Sequence, residues 1–373
     1  MYITKSTFLA KFQPPYTNDS FDSFVMHATV QSGKSKYPLR AYKNLSQAHM
    51  QLLYHLFVTE RNDYLSRFYD KSLNFHYLPI TTPPDRNAYS NNTHKQYKSI
   101  IRNMHYKEIL EHTTSGIENT PSFLKVIRNA FKHWIIDYKL VTPSGLHYLK
   151  NGALGSILSG FYFRASIMNP YLVYNLHETL LHGTRIFTPT LGWSSYAYGF
   201  LESPRVTTYV GTDVIPSVCA KTAEFARMYH PQKTTRIFCK PSEDLAKDRA
   251  FRKTYKAYFD TVFFSPPYFK LETYPGAAQS TSRYGDYDTW LQKYWKATME
   301  LCAHVLRKRG TLCYILSGYG SKEKGKFVDL IADMKHITTK IFTFVREIQL
   351  GNTNVGVTKH RNYSESILLF QAR

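Results

Sequence analysis

The hydrophobic pattern of this chain changes its period near the middle. Up to about Lys150 the apolar residues recur at helical spacing between polar breaks. Leu52, Leu53, Leu56 and Phe57 mark one face of a helix that Ser46 can cap. Ile100, Ile101, Met104, Ile109 and Leu110 mark a second, and Leu124, Ile127, Phe131, Ile135 and Ile136 a third that starts near Pro121-Ser122. From about Asn169 short apolar runs alternate with amphipathic stretches. Strands are predicted at residues 185–187, 209–211, 236–238, 260–264, 311–316, 341–348 and 366–370. Helices are predicted from Asn169 or Pro170 through Leu180, from Ser194, over 216–229, around 244–257, over 287–307 and near 327–334. Such alternation predicts an α/β fold, a doubly wound and mostly parallel seven-stranded sheet. The last two strands, joined without a helix, are expected as an antiparallel edge hairpin. The expected division is a mainly helical region over 1–155 and an α/β domain over 156–373.

Charge narrows the class of partner. Lys and Arg number 48 against 27 Asp and Glu, a formal net charge of +21. A surplus of that size favours a polyanion, because each neutralised phosphate releases condensed counterions. Residues 1–150 alone carry 19 basic and 10 acidic side chains. The 30 Tyr and 24 Phe supply flat rings that stack on bases wherever the core does not use them. Cys219, Cys239, Cys302 and Cys313 form no C-x-x-C pair and have no histidine cluster at zinc spacing. No metal is expected, and the thiols read as reduced. No run reaches the roughly 18 apolar residues of a membrane helix, and residues 1–12 lack a signal-peptide core. The expectation is a soluble intracellular protein without a membrane partner.

The candidate chemistry lies at Ser265-Pro266-Pro267-Tyr268, directly after the fourth predicted strand. Ligands of doubly wound sheets bind at that end of the strands. Two prolines fix φ and remove two backbone donors, leaving rigid carbonyls pointing outward. A base amino group attacking a methyl sulfonium needs acceptors for its hydrogens. Ser265 Oγ and the Pro266 carbonyl can supply them, and Tyr268 can stack on a base flipped from its helix. Such an in-line transfer needs positioning and no covalent nucleophile. The plainer alternative is a Pro-Pro turn that closes a strand, with an aromatic packed after it.

The string Phe264-Ser265-Pro266-Pro267-Tyr268-Phe269, followed by Glu272, Tyr274, Gln279-Ser280 and Trp290, resembles the amino-methyltransferase family of DNA methyltransferases. The likeness is to a branch found in phages and large DNA viruses, and it covers roughly residues 160–373. It implies a Rossmann-like class I methyltransferase fold, S-adenosylmethionine as cofactor, and catalytic roles for Ser265, Pro266, Pro267 and Tyr268. The implied substrate is duplex DNA with a flipped base, RNA being the lesser alternative. Serine at the head of the tetrapeptide favours cytosine N4 over adenine N6 as acceptor.

Further residues follow from the same resemblance. Thr188-Pro189-Thr190-Leu191-Gly192-Trp193-Ser194 stands where the family has an Asp-Pro-x-x-Gly-x-Gly loop around the cofactor's methionine part. Pro189 and Gly192 match; Thr188 replaces the acid and Ser194 the second glycine, with Trp193 between. Asp213, followed by Val214, ends the second strand where the family's acid accepts the ribose hydroxyls; capping the helix near Pro216 is the alternative. Ser242 and Glu243 stand at the adenine contact, and residues 161–174 at the methionine end. Phe269 and Arg283 after the tetrapeptide, and Lys359 and Arg361 between the last two strands, are expected to face the substrate. The N-terminal region remains for DNA recognition, or else for dimerisation or protein docking.

Overall fold

In the computed structural model the described residues are 29–32, 35–38, 46–48, 51, 75–87, 89–116, 165–321, 326–351 and 365–373. The chain divides into two compact units, Met1–Asn74 with Tyr106–Ala165 and Phe75–His105 with Ser166–Arg373. In the first unit, strands Thr29–Ser32 and Ser35–Pro38 pair as a tight antiparallel hairpin. A π-helical turn, Lys107–His112, buries Ile109 and Leu110. The helices expected through Leu56 and through Phe131 lie outside the described residues.

The second unit is built on one sheet. Its strands are β1 Arg185–Thr188, β2 Thr208–Asp213, β3 Thr234–Cys239, β4 Phe259–Phe264, β5 Leu306–Leu316, β6 Thr343–Gln349 and β7 Ser366–Gln371. They lie in the order β6-β7-β5-β4-β1-β2-β3. Pairs from β5 to β3 are parallel, and β7 runs antiparallel to both β5 and β6. The expected edge hairpin is there, with its second strand inserted inside the first. All six residues of β4 are buried, which is why Val262, Phe263 and Phe264 read as an apolar run without alternation.

The helices of this unit include α1 Gln96–Met104, α2 Pro170–Leu176, α3 Ser195–Leu201, α4 Pro216–Tyr229, α5 Ser242–Leu245, α6 Arg249–Thr254, α7 Ala297–Val305 and α8 Leu330–Ile341. Asn169 starts α2 by accepting the Tyr171 N–H at 3.0 Å. The helix expected around 244–257 is two: Asp248 accepts the Phe251 N–H at 3.0 Å, capping α6 and ending the chain path from α5. Helix α7 is reached through a π-helical turn, Leu291–Lys296.

The boundary expected at residue 155 needs correction, because residues 75–105 cluster with the sheet. The Tyr77 ring stacks on Tyr229 at 4.2 Å, and its hydroxyl donates to Glu202 Oε1 at 2.7 Å. Ile80 N–H donates to Glu202 Oε2, and Tyr171 donates its hydroxyl to the Pro83 carbonyl. Polar and aromatic contacts of this kind leave no hydrophobic periodicity to read. Among the described residues no helix is long and apolar enough to cross a membrane.

Candidate active site at the strand ends

The carboxyl ends of β1, β2, β3 and β4 open into one cleft. Its wall takes Pro189, Gly192 and Trp193 after β1, Asp213 and Val214 at β2, and Ser242 and Glu243 after β3. All four residues of the tetrapeptide after β4 join them. Chain segments separated by up to about 80 positions thus converge on one cleft.

The loop after β1 is wound left-handed over three successive residues, with φ of 51° at Gly192, 58° at Trp193 and 65° at Ser194. At Gly192 a Cβ would stand 2.2 Å from Tyr196 Cζ, so both the turn and the ring above it require glycine. Ser194 adopts a conformation that costs a non-glycine residue roughly 1–2 kcal/mol. Buried hydrogen bonds hold it there. Thr222 donates its hydroxyl to the Val218 carbonyl at 2.7 Å, so the 2.6 Å contact between Ser194 and Thr222 has Ser194 as donor. The 2.7 Å contact to His105 Nε2 then has the imidazole N–H donating to Ser194 Oγ. Burial, helped by the Lys221 charge, pushes the His105 pKa down to about 3. The ring is therefore a neutral strut. Trp193 donates its indole N–H to the Ser166 carbonyl at 3.1 Å.

Asp213 ends β2 with its carboxylate bound to backbone amides. Its Oδ2 accepts the Leu191 N–H at 3.1 Å, while Oδ1 accepts those of Val214 at 2.8 Å and Ile215 at 3.1 Å. Those bonds pin the β1 loop and the approach to α4. A carboxylate offers about four acceptor sites, so roughly one remains for a ligand hydroxyl. Burial raises its pKa against the three amide bonds. Thr188 is different from expectation. It is fully buried, its hydroxyl 2.7 Å from the Tyr209 hydroxyl, and it takes no part in the cleft wall.

The tetrapeptide is tethered at its two ends. Ser265 N–H donates to the Tyr196 hydroxyl oxygen at 3.0 Å, and Tyr196 donates back to the Ser265 carbonyl at 3.3 Å. Ser317 N–H donates to the Tyr268 hydroxyl oxygen at 2.8 Å. The Tyr268 ring lies within 17° of parallel to Tyr319, centroids 6.2 Å apart. Between the tethers, the Ser265 hydroxyl and the Pro266 carbonyl take no hydrogen bond among the described residues. Burial pushes the Tyr268 pKa up, keeping the phenol neutral.

Two expected substrate contacts need correction. Phe269 is absent from the cleft wall; its ring is buried 5.3 Å from that of Tyr287 and 5.7 Å from that of Trp290. Arg283 is held by Glu243 Oε1 at 2.9 Å and by both carboxylate oxygens of Asp244 at 3.0 and 3.1 Å, leaving it committed to the protein. Lys359 and Arg361 lie outside the described residues. Ser166, Ile167 and Met168 line the wall in the segment assigned to the methionine end. Ser166 is extended, its N–H donating to Glu272 Oε1 at 3.0 Å. Tyr196, which joins the β1 loop to the tetrapeptide, carried no signal: nothing distinguishes it from the other tyrosines in sequence.

The charge of the wall tests which ligand fits. Among the described lining residues, Asp213, Glu243, Glu272 and Glu365 accompany a single Lys240, with no arginine and no histidine. In a chain of net charge +21 this cleft is locally acidic. It disfavours the pyrophosphate of a dinucleotide and suits a ligand with an ammonium, a sulfonium and a ribose diol. The chemistry of these lining residues fits S-adenosylmethionine.

No family model matches the sequence, and no curated protein is similar to it. Solved structures do align with the sheet. The N-methyltransferase NodS from Bradyrhizobium japonicum WM9, in complex with S-adenosyl-L-homocysteine, is 11% identical. It covers 54% of this chain and 83% of its own length at a TM-score of 0.35. A putative methylase, HI0767 from Haemophilus influenzae, is 13% identical over 57% of this chain and 94% of its own, with a TM-score of 0.34. The [4+2]-cyclase SpnF is 11% identical over 55% and 83%, with a TM-score of 0.39. These likenesses are distant, and the strand order stands without them. The fold is of the Rossmann-like class I methyltransferase type. Function belongs to the site grafted on such a sheet.

Proposed function

We propose that the chain is an S-adenosylmethionine-dependent methyltransferase that acts on the exocyclic amino group of a base in DNA, with cytosine N4 the favoured acceptor. The observation that carries this reading is a pair of acceptors without a partner among the described residues, Ser265 Oγ and the Pro266 carbonyl, on a doubly tethered turn at the rim of this cleft. When bound, S-adenosylmethionine supplies an electrophilic methyl group on sulfur. Ser265 and Pro266 accept the two amino hydrogens, which aligns the nitrogen lone pair and pulls charge away as the bond to carbon forms. Tyr268 presents a ring fixed by its hydroxyl for the base to stack on. No cysteine lines the cleft, which favours attack by nitrogen over a route through a covalent base adduct. The +21 charge supports a nucleic-acid substrate.

Matched methyl-acceptor assays on duplex DNA, single-stranded DNA and RNA, followed by nucleoside mass spectrometry, test each part. The expected product is N4-methyldeoxycytidine from DNA. N6-methyldeoxyadenosine alone overturns the choice of base, and transfer to RNA alone overturns the choice of nucleic acid. A protein that binds DNA without binding the cofactor overturns the enzyme reading itself.

A further inference from the structure

Tyr294 is the one tyrosine among the buried described residues whose hydroxyl has no hydrogen-bond partner, yet it belongs to the cleft wall. The residue is 3% exposed. A buried phenol left unpaired costs about 1–3 kcal/mol, so its retention calls for a partner that the ligand-free protein lacks. Its position identifies that partner. The charged and polar groups whose fields act on the hydroxyl are Glu243 foremost, then Cys302, Tyr196 and Asp213. Three of these four line the cleft, and the turn that carries Tyr294 packs against α5, the helix of Ser242 and Glu243.

The backbone explains how the ring comes to be there. Tyr294 lies in the π-helical turn Leu291–Lys296, just before α7. One extra residue per turn shifts the side chains that follow, a device often found where a helix must aim a group at a ligand. The neighbours on this side are already engaged: Ser242 Oγ lies 2.8 Å from Thr298 Oγ1, and Glu243 holds Arg283. Tyr294 is left with both a donor and an acceptor free. Burial keeps it protonated.

We infer that the Tyr294 hydroxyl donates a hydrogen bond to a ring nitrogen of the adenine moiety, making it a specificity-determining residue of the cofactor subsite. Adenine ring nitrogens N1, N3 and N7 are acceptors, and a phenol supplies the donor that the engaged Ser242 and the carboxylate of Glu243 do not. The inference rests on the cofactor reading above.

The test is calorimetric titration of the full chain with S-adenosylhomocysteine, alongside its 1-deaza, 3-deaza and 7-deaza adenine analogues. Tyr294→Phe should weaken S-adenosylhomocysteine about tenfold, the loss expected for one neutral hydrogen bond. One deaza analogue should bind the wild-type protein about tenfold more weakly and no longer distinguish it from Tyr294→Phe. The ligand-free variant should melt no lower than wild type, because its missing hydroxyl had no partner. Equal S-adenosylhomocysteine affinity in the two proteins overturns the inference, as does a Tyr294→Phe loss that persists across all three analogues. Failure of the wild-type protein to bind S-adenosylhomocysteine overturns the cofactor reading instead, so the two failures are distinguishable.

Discussion

The turn after β1 and the turn after β4 meet at Tyr196 and are held in opposite ways. In the first, nearly every polar group is used by the protein: Asp213 takes three amides, Ser194 sits between His105 and Thr222, and Trp193 bonds Ser166. In the second, only the ends are fixed, at Ser265 N–H and at the Tyr268 hydroxyl, and the acceptors between them stay free. The difference separates two tasks. A ligand cradle needs a backbone that does not move, whereas a reacting turn needs groups that are positioned and unsatisfied. The first turn departs from the Asp-Pro-x-x-Gly-x-Gly pattern of the family that the sequence resembles, and side chains hold its shape. The second turn keeps the Ser-Pro-Pro-Tyr string of that resemblance.

The largest expected effect comes from removing a free acceptor. Ser265→Ala should lower the single-turnover methyl-transfer rate about 100- to 1000-fold, the range seen when one preorganised group at a reacting centre is removed. Affinity for S-adenosylhomocysteine should stay near wild type. Wild-type turnover would mean that the two turns do not divide the work in this way.

Asp213→Asn probes the cradle. The amide keeps one acceptor oxygen but sets an NH2 against the backbone N–H groups, so thermal stability should fall by about 1.5–3 kcal/mol together with cofactor affinity. A variant that melts like wild type while binding S-adenosylhomocysteine poorly would assign Asp213 to the ligand alone.

Acid should also destabilise the fold behind the cradle. His105 is held at a pKa of about 3 and His177 at about 4, both by burial foremost, against about 6.5 in an unfolded chain. Between those values the unfolded state binds protons that the folded state refuses. Stability is therefore fully present near pH 7 and is lost as pH falls below about 6.5, by up to about 1.4 kcal/mol per pH unit for each histidine. Thermal melts from pH 7 to pH 5 should show this slope, and His105→Gln should flatten it. An unchanged slope would show that the strut behind Ser194 does not titrate as buried imidazole.

The sheet was legible where strands are buried on both faces or bounded by sharp turns, as with β4 and its Pro-Pro stop. β5 was not fully legible: it begins at Leu306, because the exposed Arg307, Lys308 and Arg309 interrupt the apolar run while the backbone continues as strand. Site residues were legible where the backbone itself demands a residue type, as at Gly192 and at the two prolines. They were hidden where a role arises from tertiary partners. Tyr196 and Tyr294 differ from other tyrosines only by what surrounds them, and Arg283 finds its acids about 40 positions upstream. Segment 75–105 was misassigned for the same reason, since Tyr77 and Ile80 reach Glu202 across some 120 residues.

The antiparallel insertion of β7 also sets an order of assembly. β6 hydrogen-bonds to no strand of the sheet except β7, so during synthesis the sheet can grow only as far as β5. Until residues 366–371 leave the ribosome, β5 presents a raw edge that another chain could pair with. Once β7 seals it, the new outer strand is blunted by Arg346, Glu347 and a register shift between Phe344 and Arg346. The window for edge-to-edge aggregation therefore closes with the docking of a single hairpin.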